Sequence, residues 1–249
     1  MFIKKALTIA ALSAVASVSY AGSAHAIGFT YSAGAYRDAQ TNQGAFSENV
    51  NKSGYTTYDF NNSKVPGNDQ IKYTFSGGNY STTAYSTQTG IYSDVWAPSG
   101  VKGEENNSNY LAVFSNSSVS IQATGGKTFN YFGFDAGALS TGNTIQFFNG
   151  DKKLLELDYD AMTKDAPVAA SQHGGQKNGF FEFFSQSNND NFDKIVLSQI
   201  GGGGFESDNH TFRIDKGAHT TSVPEPGVVL GLVGVGGMFL RKRKSHKTA

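Results

Sequence analysis

The sequence contains no cysteine in its 249 residues. This excludes disulfide bonds and thiol nucleophiles, although an exported domain is free to use disulfides. The chain also lacks a G-x-S-x-G nucleophile motif and an EF-hand calcium loop. Its stability must therefore come from a hydrophobic core, from bound ions, or from both.

Helical periodicity is nearly absent between residues 27 and 222. Short runs rich in Thr, Val, Ile, Tyr and Phe alternate instead with Asn, Gly and Ser clusters, a pattern typical of an all-β domain. The aromatic run at residues 180–184 favours a strand buried on both faces. Asn149-Gly150-Asp151 predicts a hairpin turn. The predicted strands are residues 56–60, 70–75, 111–114, 119–123, 131–136, 144–149, 153–159, 179–184, 194–199 and 210–214.

The amino terminus has the three parts of a secretory signal peptide. Lys4 and Lys5 are followed by a small, apolar stretch over residues 6–20 and by the small-residue segment Ala24-His25-Ala26. We expect signal peptidase to remove residues 1–26, so that the mature chain begins near Ile27.

The carboxyl terminus, residues 223–249, carries a second targeting pattern. Val223-Pro224-Glu225-Pro226 predicts an extended segment, residues 227–240 form a Gly-rich apolar run, and a basic cluster follows at Arg241, Lys242, Arg243 and Lys244. By the positive-inside rule, the basic cluster stays cytoplasmic while the apolar helix enters the membrane. The domain is thereby left outside.

This tail resembles the PEP-CTERM sorting signal. The resemblance implies transient retention in the inner membrane, cleavage near the motif, and surface transfer by the transpeptidase exosortase. A helix of about 14 residues reaches about 21 Å of a hydrocarbon core that is roughly 30 Å thick, which suits transient retention. The alternative is an ordinary tail anchor.

The body of the chain is similar to a group of PEP-CTERM exosortase-dependent surface proteins. The similarity covers residues 55–214 and rests on the segments YTTYDFN, NYLAV, FGFDAGALSTGNTIQFFN and FESDNHTFR. It implies a jelly-roll module of the carbohydrate-binding kind. We therefore expect residues 27–222 to form a single jelly-roll-like antiparallel β-sandwich.

The charge of the whole chain hides an acidic mature domain. The two targeting segments hold 7 of the 20 Lys and Arg residues but only 1 of the 20 Asp and Glu residues. Residues 27–222 therefore carry a net charge of −6. This charge argues against a nucleic-acid partner or an anionic membrane surface.

Acidic residues near the last predicted strand suggest a structural calcium ion. Strand alternation places Glu206 and Asp208 on one face, and hard oxygen ligands of this kind suit Ca²⁺. Asp59, on an early strand, is the expected third ligand. The alternative is a solvated turn capped by Asn209.

Aromatic side chains in polar, turn-rich sequence suggest a sugar-binding surface. Tyr85, Tyr92 and Trp96 lie in such a stretch, and Trp96 is the only tryptophan. Aromatic planes stack on the apolar faces of sugar rings. The alternative is that Trp96, beside Pro98, covers the end of the core.

An enzyme is the alternative function. Glu156, Asp158 and Asp160 alternate along a predicted strand, and retaining glycoside hydrolases need two carboxyl groups about 5 to 5.5 Å apart. The apolar residues that alternate with these acids are equally typical of a half-buried strand with one solvent-exposed face. The sequence therefore favours a protein without enzymatic activity.

Together these patterns predict a bacterial protein that is exported to the cell envelope, cell surface or extracellular matrix. Exopolysaccharide is its expected ligand. The alternatives are a glycoside hydrolase or lyase that acts on matrix polysaccharide, and a structural coat protein without a ligand.

Overall fold

A computed structural model describes residues 27–38, 42–76, 88–164, 166 and 168–214. The predicted signal peptide, the sorting tail and Tyr85 lie outside these residues, so the predictions made for them stay predictions. No helix within the described ranges is long and apolar enough to cross a membrane.

Strands dominate the described residues, as the sequence predicts. They are β1 Ile27–Ser32, β2 Tyr55–Tyr58, β3 Ile71–Phe75, β4 Gly90–Tyr92, β5 Tyr110–Phe114, β6 Ser117–Ala123, β7 Phe129–Gly137, β8 Asn143–Asn149, β9 Lys152–Asp158, β10 Val168–Ala169, β11 Lys177–Ser185, β12 Lys194–Gln199 and β13 Gly204–Ile214. One short helix, α1, covers Tyr159–Thr163, and single 3₁₀ turns lie at Ser171–His173 and Asn188–Asp190.

The strands form two antiparallel sheets. The larger sheet has the order β1-β11-β7-β13-β5-β4, with β10 paired to β11 and β2 paired to β13. The smaller sheet has the order β3-β6-β12-β8-β9. The prediction of an all-β antiparallel sandwich is confirmed.

Phenylalanines from both sheets meet in the core between them. The ring of Phe147, on β8 of the smaller sheet, lies 4.5 Å from the ring of Phe183 on β11 and 6.3 Å from that of Phe132 on β7. All three side chains are fully buried. Burying each one contributes about 1.5–3 kcal/mol, which a fold without disulfides requires.

The outer face of the larger sheet is also covered. All nine residues of β7 are buried, although a strand sends alternate side chains to opposite faces. Phe132 and Phe134 point into the core, so Asp135 and Gly137 face outward, beneath residues 33–38, 42–50 and 94–108. The backbone N–H of Ala45 donates to Asp135 Oδ2 at 2.7 Å, and Pro98 lies so close to Gly137 that a β-carbon there would meet it at 2.7 Å.

The predicted hairpin forms, but the strand after it ends early. β8 and β9 pair through a turn at Gly150 and Asp151, with Gly150 at φ +57°. Asp158 then caps α1, because its Oδ1 accepts a hydrogen bond from the backbone N–H of Ala161 at 2.9 Å. Asp160 lies in that helix, so the prediction of three carboxylates on one strand face is wrong.

Candidate functional site

A cleft of about 500 Å³ opens on the outer face of the larger sheet, at the edge formed by β4, β5 and β13. Neighbouring strands bring together residues that are far apart in the chain, and loop residues 94–96 form one wall. We call this the aromatic cleft; its principal lining residues are Tyr92, Asp94, Val95, Trp96, Tyr110, Phe114, Gly204 and Glu206.

Tyrosine rings form the floor of the aromatic cleft. Tyr92 and Tyr110 are directly paired across β4 and β5, and their ring centroids lie 6.2 Å apart. Phe114 packs edge-on against Tyr92 at 5.5 Å. The Tyr92 hydroxyl donates to the carbonyl of Gln88. Tyr92 thus lines the cleft as a fixed, almost fully buried ring.

Trp96 stands at the rim and is 43% exposed. One face of its indole stacks on the ring of buried His173, with centroids 5.7 Å apart and planes at 13°. His173 Nε2 donates to the carbonyl of Val95 at 2.9 Å. These contacts hold the loop while leaving part of the indole open to solvent. Sequence reasoning missed His173, because no local pattern links it to a residue 77 positions earlier.

Asp94 supplies a carboxylate that is held in a fixed orientation. Its Oδ1 accepts hydrogen bonds from the Tyr110 hydroxyl at 2.7 Å and from the Trp96 backbone N–H at 3.0 Å. Burial, followed by the hydrogen bond to Asp94, raises the pKa of Tyr110, so the phenol keeps its proton and donates. Asp94 therefore links Tyr110, in the floor of the cleft, to the backbone of Trp96 at its rim.

Glu206 lines the cleft from β13 and is only 6% exposed. Burial raises its pKa to about 8, and repulsion from Asp94 acts in the same direction. A β-carbon on Gly204 would lie 2.1 Å from Glu206 Oε1, so this conformation of the carboxyl group requires glycine there. At neutral pH the cleft therefore offers a protonated carboxyl group beside the carboxylate of Asp94.

The predicted calcium ligands lie in three different environments. Glu206 lines the cleft. Asp208 is fully buried beneath Ser108, whose hydroxyl donates to its Oδ2 at 3.0 Å. Asp59 forms a partly exposed ion pair with Arg37 at 3.0 Å. Within the described ranges, no group of three or more His, Cys, Asp or Glu side chains is arranged to hold a metal ion. Calcium binding by these three residues stays a prediction.

Two of the three carboxylates of the alternative enzyme hypothesis, Glu156 and Asp158, make local contacts. Glu156 pairs with Lys153 and accepts from Gln146 Nε2 at 3.0 Å. The hydrogen bond from Lys153, followed by that from Gln146, lowers the pKa of Glu156, whereas a general acid needs a raised one. Asp158 caps α1. None of the three acidic residues lines the aromatic cleft.

A buried polar chain was also missed by sequence reasoning. His210 Nε2 lies 3.0 Å from Ser207 Oγ, and its Nδ1 lies 2.9 Å from the Tyr73 hydroxyl. Burial lowers the pKa of His210 to about 3. Ser207 and His210 are completely inaccessible to solvent, and the hydrogen bond between His210 and Tyr73 joins β13 to β3.

The chain matches no family model, no curated protein and no solved structure with which it was compared.

Proposed function

We propose that this protein is an exported, non-enzymatic component of a bacterial surface or extracellular matrix, and that it binds exopolysaccharide in the aromatic cleft. The observation that carries the proposal is the half-exposed Trp96, which is held rigidly at the rim between His173 and Asp94. A fixed aromatic face loses little conformational entropy when a ligand stacks on it.

The cleft offers chemistry that is complementary to a sugar. Trp96 presents an aromatic plane to the apolar C–H face of a ring. Asp94 accepts hydrogen bonds from hydroxyl groups, and protonated Glu206 donates one. A volume of about 500 Å³ lies within the range of small-molecule sites, which is roughly 300–1,000 Å³.

The charges of the domain favour a neutral polysaccharide over a polyanionic one. Residues 27–222 carry a net charge of −6, and the carboxylate of Asp94 faces the cleft. A ligand with a carboxylate on each sugar would be repelled by both.

The strand order supports a jelly-roll sandwich. Eight strands form the central arrangement, with β11-β7-β13-β5 in one sheet and β6-β12-β8-β9 in the other. Consecutive strands of this set lie in opposite sheets, except β8 and β9, which form a hairpin within the smaller sheet. Double sheets of eight strands with such crossings are typical of jelly rolls, a common architecture of lectin domains.

The cellular address belongs to the same proposal and rests on sequence. The signal peptide over residues 1–26 supports export, and the tail over residues 223–249 supports transient membrane retention and processing by exosortase. Epitope-tagged protein should appear first in the inner membrane and then, without its tail, at the surface. A chain with Glu225→Ala and Pro226→Ala should stay in the membrane, and surface delivery of that chain would refute the sorting proposal.

The binding experiment uses the full chain, purified in a detergent without a sugar headgroup. Binding of a neutral hexose polymer and of a polyuronate is measured by calorimetry. Trp96→Ala should weaken binding of the neutral polymer about tenfold, which corresponds to a lost stacking energy of about 1.4 kcal/mol. Ile200→Ala is the matched control, because Ile200 is 68% exposed but lies outside the cleft lining.

Absence of saturable binding by the native chain would refute the ligand proposal and favour a structural coat protein. Equal loss of affinity in the Trp96 and Ile200 variants would show that the cleft is not the site.

A second candidate function is glycoside hydrolysis by the acids of the cleft. The specific observation in its favour is that Glu206, with its raised pKa, faces the same cleft as Asp94. Such a pairing is typical of a general acid beside an ionised carboxylate. Release of reducing ends from the polymer by the native chain, and loss of this release in Glu206→Gln, would support hydrolysis. If the native chain releases no reducing ends, hydrolysis of that polymer is excluded.

A further inference from the structure

The aromatic cleft contains two carboxyl groups and no positively charged side chain to balance them. Glu206 is 94% buried, while Asp94 is partly exposed. Within the described part of the chain, neither makes an ion pair, and no lysine or arginine is among the described residues that line the cleft. A buried carboxyl group is costly to ionise unless a positive charge lies beside it. In an open cleft, a ligand can supply that charge.

The two carboxyl groups act on the same phenol in the floor of the cleft. Asp94 Oδ1 accepts the hydrogen bond of the Tyr110 hydroxyl at 2.7 Å, whereas Asp94 Oδ2 accepts none from the described residues. Burial raises the pKa of Tyr110, and so do the hydrogen bond to Asp94 and the charges of Asp94 and Glu206. A positive charge held beside Tyr110 would therefore be attracted by both carboxyl groups.

The aromatic rings of the cleft favour a positive charge for a second reason. The faces of aromatic rings are electron-rich and attract a cation that lies within about 6 Å of the ring centroid, and tryptophan attracts it most strongly. The ring planes of Tyr92 and Phe114 stand at 75° to each other, so they present faces in different directions. Clusters of aromatic side chains of this kind are used to recognise ammonium groups. The cleft-lining rings are those of Tyr92, Trp96, Tyr110 and Phe114.

We propose that the aromatic cleft selects a sugar unit with a protonated amino group, that is, a hexosamine without an N-acetyl group. The inference rests on the proposed function, because it names the sugar that the exopolysaccharide would present to the cleft. The ammonium group would lie beside Asp94, Glu206 and the ring of Tyr110, and the apolar face of the sugar would stack on Trp96.

The charge of the whole domain acts in the same direction. Residues 27–222 carry a net charge of −6, which attracts a polymer with scattered positive charges. Glu206 would serve the two kinds of sugar in different forms. A neutral sugar accepts a hydrogen bond from the protonated carboxyl group, whereas an ammonium group stabilises the ionised carboxylate.

The experiment compares two ligands that differ only at the amino group. Oligomers of glucosamine and of N-acetylglucosamine, equal in length and linkage, are titrated by calorimetry into the full chain at pH 6, where the free amine is protonated. The detergent carries no sugar headgroup. The glucosamine oligomer should bind about tenfold more tightly than the acetylated one.

Two isosteric substitutions test the carboxyl groups. Asp94→Asn keeps an oxygen that can accept from Tyr110 and from the backbone of Trp96, and it removes the charge. Glu206→Gln removes the other carboxyl group. Each should reduce the ratio of the two affinities about threefold. Asp160→Asn is the matched control, because it removes an exposed acid of α1 that does not line the cleft, and it should keep the ratio.

The ratio of affinities separates this inference from the proposed function. Equal binding of the two oligomers, or tighter binding of the acetylated one, would overturn the inference and leave the proposed function intact. If neither oligomer nor the neutral hexose polymer binds, the proposed function itself fails.

Three other results would also overturn the inference. They are an unchanged ratio in both acid variants, a lost ratio in the Asp160 variant, and displacement of the glucosamine oligomer by oligolysine at equal amine concentration. The last result would assign the cleft to a peptide amine. The comparison of oligomers on the native chain tests the inference even if one variant does not fold.

Discussion

Glu206 should make the stability of this protein depend on pH in a way that one isosteric substitution removes. Its pKa rises from 4.5 in the unfolded chain to about 8 in the folded one, chiefly through burial. Between these two values the unfolded state releases the proton while the folded state keeps it. The ionisation of Glu206 therefore does not lower the free energy of unfolding below about pH 4.5, and it lowers this free energy progressively as the pH rises towards 8.

The size of this effect follows from the shift. Each pKa unit corresponds to about 1.36 kcal/mol, so Glu206 costs about 3 kcal/mol at pH 7 and about 5 kcal/mol above pH 8. Glu206→Gln keeps the shape of the side chain but cannot ionise. We expect it to stabilise the fold by about these amounts at pH 7 and 8.5, and by almost nothing at pH 4.5.

Urea denaturation of both chains at pH 4.5, 7 and 8.5 measures the difference. Other buried acids, including Asp135 and Asp208, are present in both chains, so their contributions cancel in the stability difference between the native chain and the variant. If the two stability curves run parallel from pH 4.5 to 8.5, the reasoning about Glu206 is refuted. Binding of the neutral polymer gives a second readout, because affinity should fall above about pH 8 in the native chain but not in the variant, whose amide still donates.

Three further predictions concern the scaffold and are measured by urea denaturation. Phe147→Ala should cost about 3–5 kcal/mol, since it leaves a cavity between the two sheets, and a cost below 1 kcal/mol would contradict the packing. Gly142→Ala should cost more than about 1 kcal/mol, because its β-carbon would lie 1.9 Å from the Ile200 carbonyl oxygen at φ +94°; Gly202→Ala, with no atom within 4 Å, should cost less than about 0.5 kcal/mol. Asp158→Ala should cost about 1 kcal/mol by removing the cap of α1, and no loss would show that the cap is unimportant.

Strands were the most predictable part of the fold. Each of the ten predicted strands overlaps an observed one, because alternation over five or more residues is a strong local signal. β1, β4 and β10 were missed. The three residues of β4 and the two of β10 are too few to show a period. Asp160 was misplaced for a local reason: Asp158 caps a helix, and that hydrogen bond ended the strand sooner than the alternating pattern indicated.

The candidate site was predictable only in part. Tyr92, Trp96 and Glu206 stand out as residue types, and the cleft contains all three. Their environments depend on contacts between distant segments, such as His173 under Trp96. The protonation of Glu206 follows from burial on a sheet face that composition does not reveal.

The covered outer face of the larger sheet has a consequence for how this protein can evolve. Loops usually accept insertions and change quickly, because they run over the surface. Two segments, one described at residues 33–38 and 42–50 and the other at residues 94–108, instead act as a third layer, in which Gly44 and Pro98 fit against strands with no spare room. Lengthening either segment would expose buried carboxyl groups and disturb the cleft. Divergence should therefore concentrate on the exposed face of the smaller sheet and at the turn around Gly150.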